Sequence, residues 1–397
     1  VFGVPKQNVG QTYLLHPLHH GLGVGPHAFE AGRLKRGSLP EEDVALGNAV
    51  SEMGPPSCFP DHCPPLTRET TRKCLSTSSR MKEVRLDRLR DEWVIISSER
   101  AARPLTLTGQ TGCPFCPANP ETSGKEAPYW LPNAYPMLAP DAEGPAGEDR
   151  MPGKGYCEVI VESFNHRADL NELNAEQLYR AFQLYAQRYE ELSSRPSVKA
   201  VAVFRNLGRL IGVTIEHPHS QVYAVPFVPP VLREEGRSFA GHCPLCSRSG
   251  KPIFESDSVI AEMPFAPRWP YEVRVYPKRH AQSLVDLEEQ EMRELATGVG
   301  RLIGCYHRLF GVKMPYVMAL HQAPLANAPS SIHMHVDLYP ALRAPDKLKH
   351  WSGAEVGFGI YTYDFDPDAK LEELKQVCKG LSSLPIPSES LPEPSAI

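Results

Sequence analysis

The sequence contains neither a long hydrophobic run nor a block of basic residues. Its longest apolar runs, such as VIIS and AVAVF, are far shorter than the roughly 20 residues that a membrane-spanning helix needs. No charged segment followed by an apolar one opens the sequence, so we expect no secretory leader. The formal net charge is −5, which gives no electrostatic reason to expect nucleic acid or anionic lipid as a partner. We therefore expect a cytoplasmic protein without a membrane partner, and one that can act on small anionic molecules.

Cysteines are moderately frequent and their spacing is informative. Four of the ten form two copies of one motif, CPFC and CPLC. In a chain expected to be cytoplasmic, such pairs indicate a metal site before a disulfide. We interpret the other six as ordinary free thiols: Cys58, Cys63, Cys74, Cys157, Cys305 and Cys378.

The two ends of the chain differ in composition from its middle. Residues 1–80 lack a sustained apolar period and are rich in Gly, Pro, His and Ser. We expect this segment to be disordered, and likewise the proline-rich tail over residues 381–397. At Met81 charged residues give way to a strand-like run, so the folded part is predicted to begin there.

Between these ends, one order of parts occurs twice. Each copy has a Cys-x-x-Cys pair, a strand that leads to a histidine, a helix, a further strand and a His-x-His segment. Caps predict where the two helices begin, with Asn174 and Gln177 in the first copy and Asp286 and Glu289 in the second. The sequence therefore predicts an α+β fold of two tandem halves, 81–235 and 236–380. Each half is expected to be a mostly antiparallel sheet with a packed helix.

The repeated cysteine pairs predict two structural zinc sites. Zinc prefers about four Cys or His ligands in a tetrahedron, and a Cys-x-x-Cys turn supplies two of them. Histidines at matching places in the two copies can complete each set; the alternative is free thiols in ordinary turns. The predicted ligands are Cys113, Cys116, His166 and His217 in the first half, and Cys243, Cys246, His280 and His333 in the second.

The segment HPHSQ places His217 and His219 on one face of a strand, with Pro218 between them pointing away. A metal on His217 would fix the backbone that presents His219, which can then attack phosphorus as a nucleophile. Gln221 lies on the same face and can donate an amide hydrogen to a phosphoryl oxygen. The second copy, HMHVD, carries Asp337 in place of Gln221, and its charge would repel a phosphate. We therefore expect the second half to be non-catalytic.

Several motifs together resemble a known family. CPFC, HPHSQ, MALHQAP, HMHVDLYP and LKHWSGAEVG occur in this order and are similar to those of the galactose-1-phosphate uridylyltransferases, a duplicated branch of the histidine-triad superfamily. The resemblance covers residues 81 to 380. It implies a homodimer that exchanges UMP between UDP-glucose and galactose 1-phosphate through a uridylylated His219, with Gln221 beside the phosphate. The hexose segment of this family can come from the neighbouring subunit.

The resemblance also implies a set of substrate-binding residues. These are Arg100 and Arg103 near phosphates, Asn133 for the nucleoside, Asn206, Gly212 and Thr214 around the nucleotide, and Lys349 and Glu355 for the sugar phosphate and sugar hydroxyls. Ala134 stands where the family often has Asp for a ribose contact.

The second metal site and the nucleotide leave alternatives open. Some members of the family hold the second metal with a glutamate and three histidines, for which the candidates here are Glu235, His321, His333 and His335. The CPLC pair instead resembles the two-zinc branch, which includes enzymes that take ADP-glucose and phosphate. An ADP-glucose phosphorylase or adenylyltransferase using the same histidine is therefore the alternative activity. A zinc-stabilised nucleotide-binding protein that is never covalently modified and a plain hydrolase are the remaining interpretations.

Overall fold

The structure is a computed structural model that describes residues 81–102, 112–117, 119–248, 250–324, 332–380 and 391–394. The predicted disordered segment 1–80 lies outside the described residues, and so do Arg103 and the cysteines Cys58, Cys63 and Cys74. Within the described part of the chain, no helix combines the length and the apolar character that crossing a bilayer requires.

The described residues contain strands throughout, with helices between them. The strands are β1 Lys82–Asp87, β2 Glu92–Ser97, β3 Tyr129–Pro132, β4 Arg150–Pro152, β5 Tyr156–Val161, β6 Ala200–Leu207, β7 Ser220–Val225, β8 Lys251–Glu255, β9 Val259–Met263, β10 Val273–Pro277, β11 Tyr316–His321, β12 His335–Pro340, β13 Leu342–Ala344 and β14 Lys347–Leu348. The α-helices are α1 Ala175–Ser193, α2 Pro230–Ser238, α3 Glu289–Leu309, α4 Gly353–Phe358 and α5 Pro367–Lys379.

One antiparallel sheet carries both halves of the repeat. Its strand order is β3-β5-β7-β6-β11-β12-β10-β9-β8. The halves meet where β6 pairs with β11, with Phe204 opposite Ala319. The predicted α+β class with antiparallel sheets and packed helices is confirmed, but the two predicted sheets are one. The predicted boundary between the halves, at residues 235 and 236, falls within α2.

Helices α1 and α3 contact each other and pack their apolar sides on this sheet. Phe182 and Tyr185 of α1 and Val299 of α3 are fully buried in the same cluster as Val222 of β7. Full burial of such a side chain contributes roughly 1.5–3 kcal/mol relative to exposure. The resulting core fixes the backbone of β7, which follows directly after His219.

The helix starts were predicted with unequal success. Asn174 caps α1, and its side chain and that of Gln177 form the expected capping box. In the second half the prediction was wrong, because Glu288 is the N-cap of α3 and forms its box with Glu291. Asp286 instead ends the short 3-10 turn Leu284–Asp286 and accepts from the Ser283 N–H at 2.9 Å. Two acidic residues two positions apart offered two starts, and a short turn occupies the first.

The prediction of free thiols was also wrong for Cys305 and Cys378, which form a disulfide. They lie in α3 and α5, and their Cα atoms are 5.2 Å apart, within the range that a disulfide spans. Seventy-three residues separate them in sequence, so only the packing of α5 on α3 brings them together. Cys157 is a free, buried cysteine.

A second, three-stranded sheet has the order β2-β1-β4. Strand β2 leads directly into the 3-10 turn Ser98–Ala102, which carries Arg100. At the other end of the chain, the carbonyl of Pro392 accepts from the Lys313 N–H at 3.0 Å. This contact ties residues of the expected disordered tail to the folded part, and the remainder of that tail lies outside the described residues.

Candidate active site and metal centres

His219 lies immediately before β7, and its ring is held by its own backbone. The Nδ1 atom is 2.8 Å from the carbonyl oxygen of His217. A carbonyl only accepts, so Nδ1 carries the hydrogen, and in the neutral ring Nε2 carries the lone pair. His219 is 8% exposed, so in the neutral ring the lone pair of Nε2 lies at the edge of a buried segment, as a nucleophile requires.

A pocket of about 200 Å³ opens at this histidine. Of the predicted site residues, it brings together Arg100, Asn206, Gly212, Thr214, His219 and Gln221. Gln221 reaches this pocket because alternation along β7 puts it on the face opposite Ser220 and Val222, which are buried on the helix side. These six residues were named from the sequence, and the structure places them in one cavity.

Two aromatic residues of this pocket were missed. Tyr223 is two positions after Gln221 on the same face of β7, and its hydroxyl accepts from Arg100 Nη1 at 3.2 Å. Phe204, on neighbouring β6, meets Tyr223 edge to face at 5.1 Å between ring centroids. The two-residue period of the strand could have identified Tyr223, whereas Phe204 required the pairing of β6 with β7.

The loop between β6 and β7 supplies the far side of the pocket. Gly212 ends the 3-10 turn Arg209–Ile211 in the left-handed conformation, with φ of 83°. A side chain there would be strained, so the turn that brings Gly212 and Thr214 to the pocket depends on glycine.

The first predicted metal set is assembled. Sulfur-to-nitrogen distances within it are 3.3 Å from Cys116 to His166 and 3.6 and 3.7 Å from Cys116 and Cys113 to His217. Bond lengths of about 2.3 Å to sulfur and 2.0 Å to nitrogen in a tetrahedron put such atoms about 3.5 Å apart. His217 Nε2 donates to the Ser163 carbonyl at 2.8 Å, which leaves Nδ1 as the ligand atom.

The electrostatics of this set also suit a cation. Burial lowers the pKa of His217 to about 4, so its ring is neutral near pH 7. Burial and the neighbouring Cys113 raise the pKa of the Cys116 thiol to about 11. Metal binding deprotonates a coordinating thiol, so a cation would reverse that penalty. The residues therefore fit a zinc ion.

The second predicted set repeats this arrangement. Cys243 and Cys246 are 3.4 and 3.5 Å from His333 Nδ1, and Cys246 is 3.5 Å from His280. His333 Nε2 donates to the Pro277 carbonyl at 2.9 Å, as His217 does to Ser163. Burial likewise lowers the pKa of His333 to about 4.

Only three of the four residues in the alternative ligand set for the second metal lie together in the structure. Glu235, His321 and His335 lie close enough to share an ion, and Glu235 Oε1 is 2.7 Å from His321 Nδ1. Since His333 Nδ1 faces the cysteines, it belongs to the Cys2His2 set.

Asp337 does not occupy an open phosphate-binding position. Arg274 binds its carboxylate in a bidentate pair at 2.7 and 2.8 Å, and this guanidinium helps to hold the pKa of Asp337 well below its usual range. His335, two residues earlier, repeats the hydrogen bond of His219, with Nδ1 2.9 Å from the His333 carbonyl.

The other predicted substrate-binding residues within the described part of the chain are not among those that line the pocket at His219. Asn133 accepts from the Tyr135 N–H at 2.9 Å. Lys349 and Glu355 are paired with each other and line a different pocket with Trp351. Among the described residues, the pockets at His219 and at Lys349 share no lining residue.

Comparison with known proteins matches both halves of the chain to the two domains of one family. Residues 72–229 match the model described as galactose-1-phosphate uridyl transferase, N-terminal domain, and residues 245–382 match the corresponding C-terminal domain. The chain is 30% identical over 318 residues to a galactose-1-phosphate uridylyltransferase of Thermotoga maritima, covering 75% of this chain and 98% of that one.

Two further relatives differ from each other in the activity that their names give. A solved uridylyltransferase structure is 32% identical, with a TM-score of 0.69, over 76% of this chain and all of that one. An ADP-glucose phosphorylase of Arabidopsis thaliana is 26% identical over 342 residues, covering 76% of this chain and 95% of the relative.

Proposed function

Because this chain belongs to the galactose-1-phosphate uridyl transferase family, we propose that it exchanges UMP between UDP-glucose and galactose 1-phosphate. The exchange passes through a covalent uridylyl group on His219. The observation that carries the proposal is the pocket that His219, Gln221 and Arg100 line together with Gly212 and Thr214 of the loop between β6 and β7. The neutral-ring tautomer at His219, set by the His217 carbonyl, supports it.

The reaction has two steps of the same kind. In the first, the Nε2 lone pair of His219 attacks the α-phosphorus of UDP-glucose. The bond from phosphorus to the oxygen of the departing glucose 1-phosphate breaks, and UMP stays on nitrogen. In the second, a phosphate oxygen of galactose 1-phosphate attacks the same phosphorus, the phosphorus–nitrogen bond breaks, and UDP-galactose leaves. The ring carries a positive charge between the steps, which the hydrogen bond from Nδ1 to the His217 carbonyl stabilises.

Two side chains act on the phosphoryl group. Gln221 donates an amide hydrogen to an oxygen on which charge develops, and the donor is already in place before the reaction. Arg100 supplies a positive charge at the same pocket and is oriented by its hydrogen bond to Tyr223. Arginine suits this task because its planar group can bind two phosphate oxygens at once.

The metal sets have a structural role in this proposal. Cys113, Cys116, His166 and His217 would hold one zinc ion, and Cys243, Cys246, His280 and His333 would hold another, each cross-linking distant segments. At the first site, His217 is the ligand and its carbonyl orients His219. A filled site therefore fixes the backbone that orients the nucleophile.

We also propose that the active unit is a homodimer. The predicted hexose residues Lys349 and Glu355 line a pocket apart from that of His219. Within one chain, the pocket at His219 therefore lacks these two residues. Large apolar residues are exposed around the same segment: Trp351, Val356, Phe358, Ile360 and Tyr361. A second copy of the chain would cover this surface and supply its Lys349 and Glu355 to the pocket at His219.

The second candidate is an ADP-glucose phosphorylase with the same histidine chemistry. It is favoured by the pair of Cys2His2 sets, which resembles the two-zinc branch, and by the Arabidopsis relative, of which the match covers 95%. The small Ala134 favours a purine mildly, since it leaves room beside the nucleoside segment.

Intact-mass measurement of the protein with UDP-glucose alone, and separately with ADP-glucose alone, tests both proposals. A UMP adduct that disappears on adding galactose 1-phosphate supports the uridylyltransferase. An AMP adduct that disappears on adding phosphate supports the phosphorylase. His219→Gly should carry no adduct while keeping its fold; an adduct on that variant, or none on the unmodified chain, would contradict the mechanism.

A further inference from the structure

Seven buried polar side chains form one hydrogen-bonded group behind the strand that carries Gln221. We call this group the inter-half network. All of its members are at most 4% exposed. The first half contributes Glu162, Asp169, Tyr185, Arg205 and Ser220, and the second half contributes His307 and Tyr316.

One end of the network lies on the catalytic strand itself. Ser220 stands between His219 and Gln221 and points to the opposite face, where its hydroxyl donates to Glu162 Oε1. Tyr185 donates to the same oxygen at 2.6 Å, and Arg205 Nη1 donates to Oε2 at 2.8 Å. The first residue of β7 is thus held by a buried carboxylate that has two further donors.

The other end lies in the second half. Arg205 Nη2 donates to Asp169 at 2.9 Å, and its Nε donates to the Tyr316 hydroxyl at 3.2 Å. Tyr316 donates to Asp169 at 2.9 Å. His307 Nδ1 accepts from the Met314 N–H at 3.1 Å, which leaves Nε2–H to donate to Asp169, also at 3.1 Å. Every step from Ser220 to His307 is a direct hydrogen bond between buried atoms.

We infer that Tyr316 and His307 of the second half are positioning residues for His219 and Gln221, acting through Asp169, Arg205, Glu162 and Ser220. This inference rests on the proposed function for the reaction that it affects. Leaving a buried polar group without its partner is energetically costly, so the network has one favourable arrangement. That arrangement fixes Ser220, and hence the two functional side chains on either side of it. The second half, which carries Asp337 in place of the glutamine, thereby contributes to chemistry in the first.

A double-mutant cycle separates positioning from plain stability. Ser220→Ala and Tyr316→Phe each remove one hydroxyl at opposite ends of the network, singly and together. Tyr306→Phe is the control, because Tyr306 is also fully buried in the second half but its hydroxyl donates to the Tyr271 carbonyl at 2.8 Å, outside the network. Each protein is mixed with UDP-glucose, and adduct formation is timed by quenching and intact mass, with urea unfolding in parallel.

Each single variant should slow adduct formation at saturating UDP-glucose by about tenfold, since a misplacement of about 1 Å can cost about 100-fold. The concentration of UDP-glucose at half-maximal rate should change by less than about twofold, because positioning acts on the reacting atoms rather than on ground-state binding. The double variant should be no slower than the slower single one, since both interrupt the same chain of contacts. Tyr306→Phe should lose comparable stability and keep its rate.

Two results would overturn the inference: a Tyr316→Phe rate equal to that of Tyr306→Phe, or single effects that multiply in the double variant. Amide hydrogen exchange over residues 217–223 gives a readout that needs no activity. Exchange there should rise more in Tyr316→Phe than in Tyr306→Phe, and equal exchange would also overturn it. If the unmodified chain forms no adduct with UDP-glucose or ADP-glucose, the proposed function fails, and the exchange result still decides whether the halves are coupled.

Discussion

His219 and His335 occupy equivalent positions and are oriented alike, yet the residues two positions later differ in charge. Both rings donate from Nδ1 to the carbonyl of the histidine two residues earlier. Gln221 faces the pocket as a neutral donor, whereas the Asp337 carboxylate forms an ion pair with Arg274. Beside a shared histidine geometry, the proposed difference in function between the halves therefore rests on this one side chain.

Replacement of Gln221 by Glu should slow exchange by about 100-fold or more, the scale seen when one donor to a developing oxyanion is lost. The carboxylate has no N–H and also repels the phosphoryl group. Gln221→Met, which is neutral and similar in size, should lose less, because it removes the donor without adding charge. Steady-state exchange of label between UDP-glucose and galactose 1-phosphate measures both. Equal rates for the Glu and Met variants would show that charge at this position does not matter.

Stability of the metal-free protein should fall as the pH drops from 6.5 to 4. Burial lowers the pKa of His217 and His333 to about 4 in the folded chain, while an unfolded histidine titrates near 6.5. The unfolded state therefore binds more protons in this window, and acidification favours it. Each histidine contributes a slope of up to about 1.4 kcal/mol per pH unit.

Urea unfolding of chelator-treated protein at pH 7, 6 and 5 measures this slope. The matched variant is His333→Asn, which keeps a polar side chain at a buried site but cannot titrate. Its slope should be smaller than that of the unmodified chain by up to about 1.4 kcal/mol per pH unit. Identical slopes would mean that His333 does not titrate as described.

At this scale the sequence was informative wherever a residue type and a short spacing define the chemistry. His219, Gln221 and both sets of metal-ligand candidates follow from motifs, and the structure brings the residues of each set together. Phe204 could not be found in this way, because its place in the pocket depends on which strand pairs with β7. The partner of Asp337 was hidden for the same reason, since Arg274 faces it only through the pairing of β10 with β12.

Among the elements, the two Cys-x-x-Cys turns differ in what they support. The first turn meets His217, whose carbonyl orients His219, the proposed nucleophile. The second meets His333, whose carbonyl orients His335 in the half that lacks the glutamine. A ligand lost at the first turn should therefore affect the reaction more directly than one lost at the second.

Cys116→Ser and Cys246→Ser form a matched pair that tests this difference. The unmodified chain should contain two zinc ions, and each variant should contain one, because a site that loses a thiolate binds zinc far more weakly. Adduct formation should fall by at least about tenfold in Cys116→Ser, given the cost of misplacing a reacting group, and by less in Cys246→Ser. Metal content by elemental mass spectrometry and timed intact mass give both numbers. A larger loss in Cys246→Ser would contradict the assigned roles.

Features formed by a few consecutive residues could be predicted from the sequence. Features that depend on a choice between neighbouring caps, or on the packing of distant segments, could not. The box of Asn174 with Gln177 needs only four consecutive residues. The start of α3 was misplaced because Asp286 was assigned to its cap, whereas Asp286 forms a capping box with Ser283 on the preceding 3-10 turn Leu284–Asp286. The disulfide between α3 and α5 depends on packing across 73 residues.

For the whole molecule, the separation of the two pockets makes a complementation experiment decisive. His219→Gly keeps the proposed hexose residues Lys349 and Glu355 intact, and Glu355→Ala keeps the proposed nucleophile intact. Each variant alone should be inactive or nearly so. When both are co-expressed with different tags and the mixed dimer is purified, one of its two sites receives His219 from one chain and Glu355 from the other.

That mixed dimer should recover about half of the exchange activity of the unmodified dimer, since loss of a nucleophile alone removes nearly all activity and one of two sites is restored. The control is the doubly substituted chain, with both changes in one copy, paired with an unmodified chain. That dimer should be inactive or nearly so if Glu355 comes from the partner chain, and about half active if it comes from the same chain. A purified mixed dimer without activity would show that each site takes its hexose segment from its own chain.

At the scale of the whole molecule, the repeat predicted the order of the strands and helices but not that both halves share one sheet. Two copies of one pattern suggested two sheets, and nothing within either copy signals which strand will lie at an edge. Pairing of β6 with β11 is a contact between copies, and it joins Val203 to Leu320 across more than one hundred residues. Such pairing is set by complementary edges and a shared core, and not by the local pattern of either strand.

This join bears on how the chain could be divided. If the halves were produced as separate polypeptides, β6 and β11 would each become an outer strand with a row of backbone N–H and C=O groups lacking partners, which invites association with other chains. The apolar contact between α1 and α3 would be lost as well. Each half thus covers the strand edge of the other that would otherwise associate with other chains. A split version should therefore become soluble only when both fragments are made together.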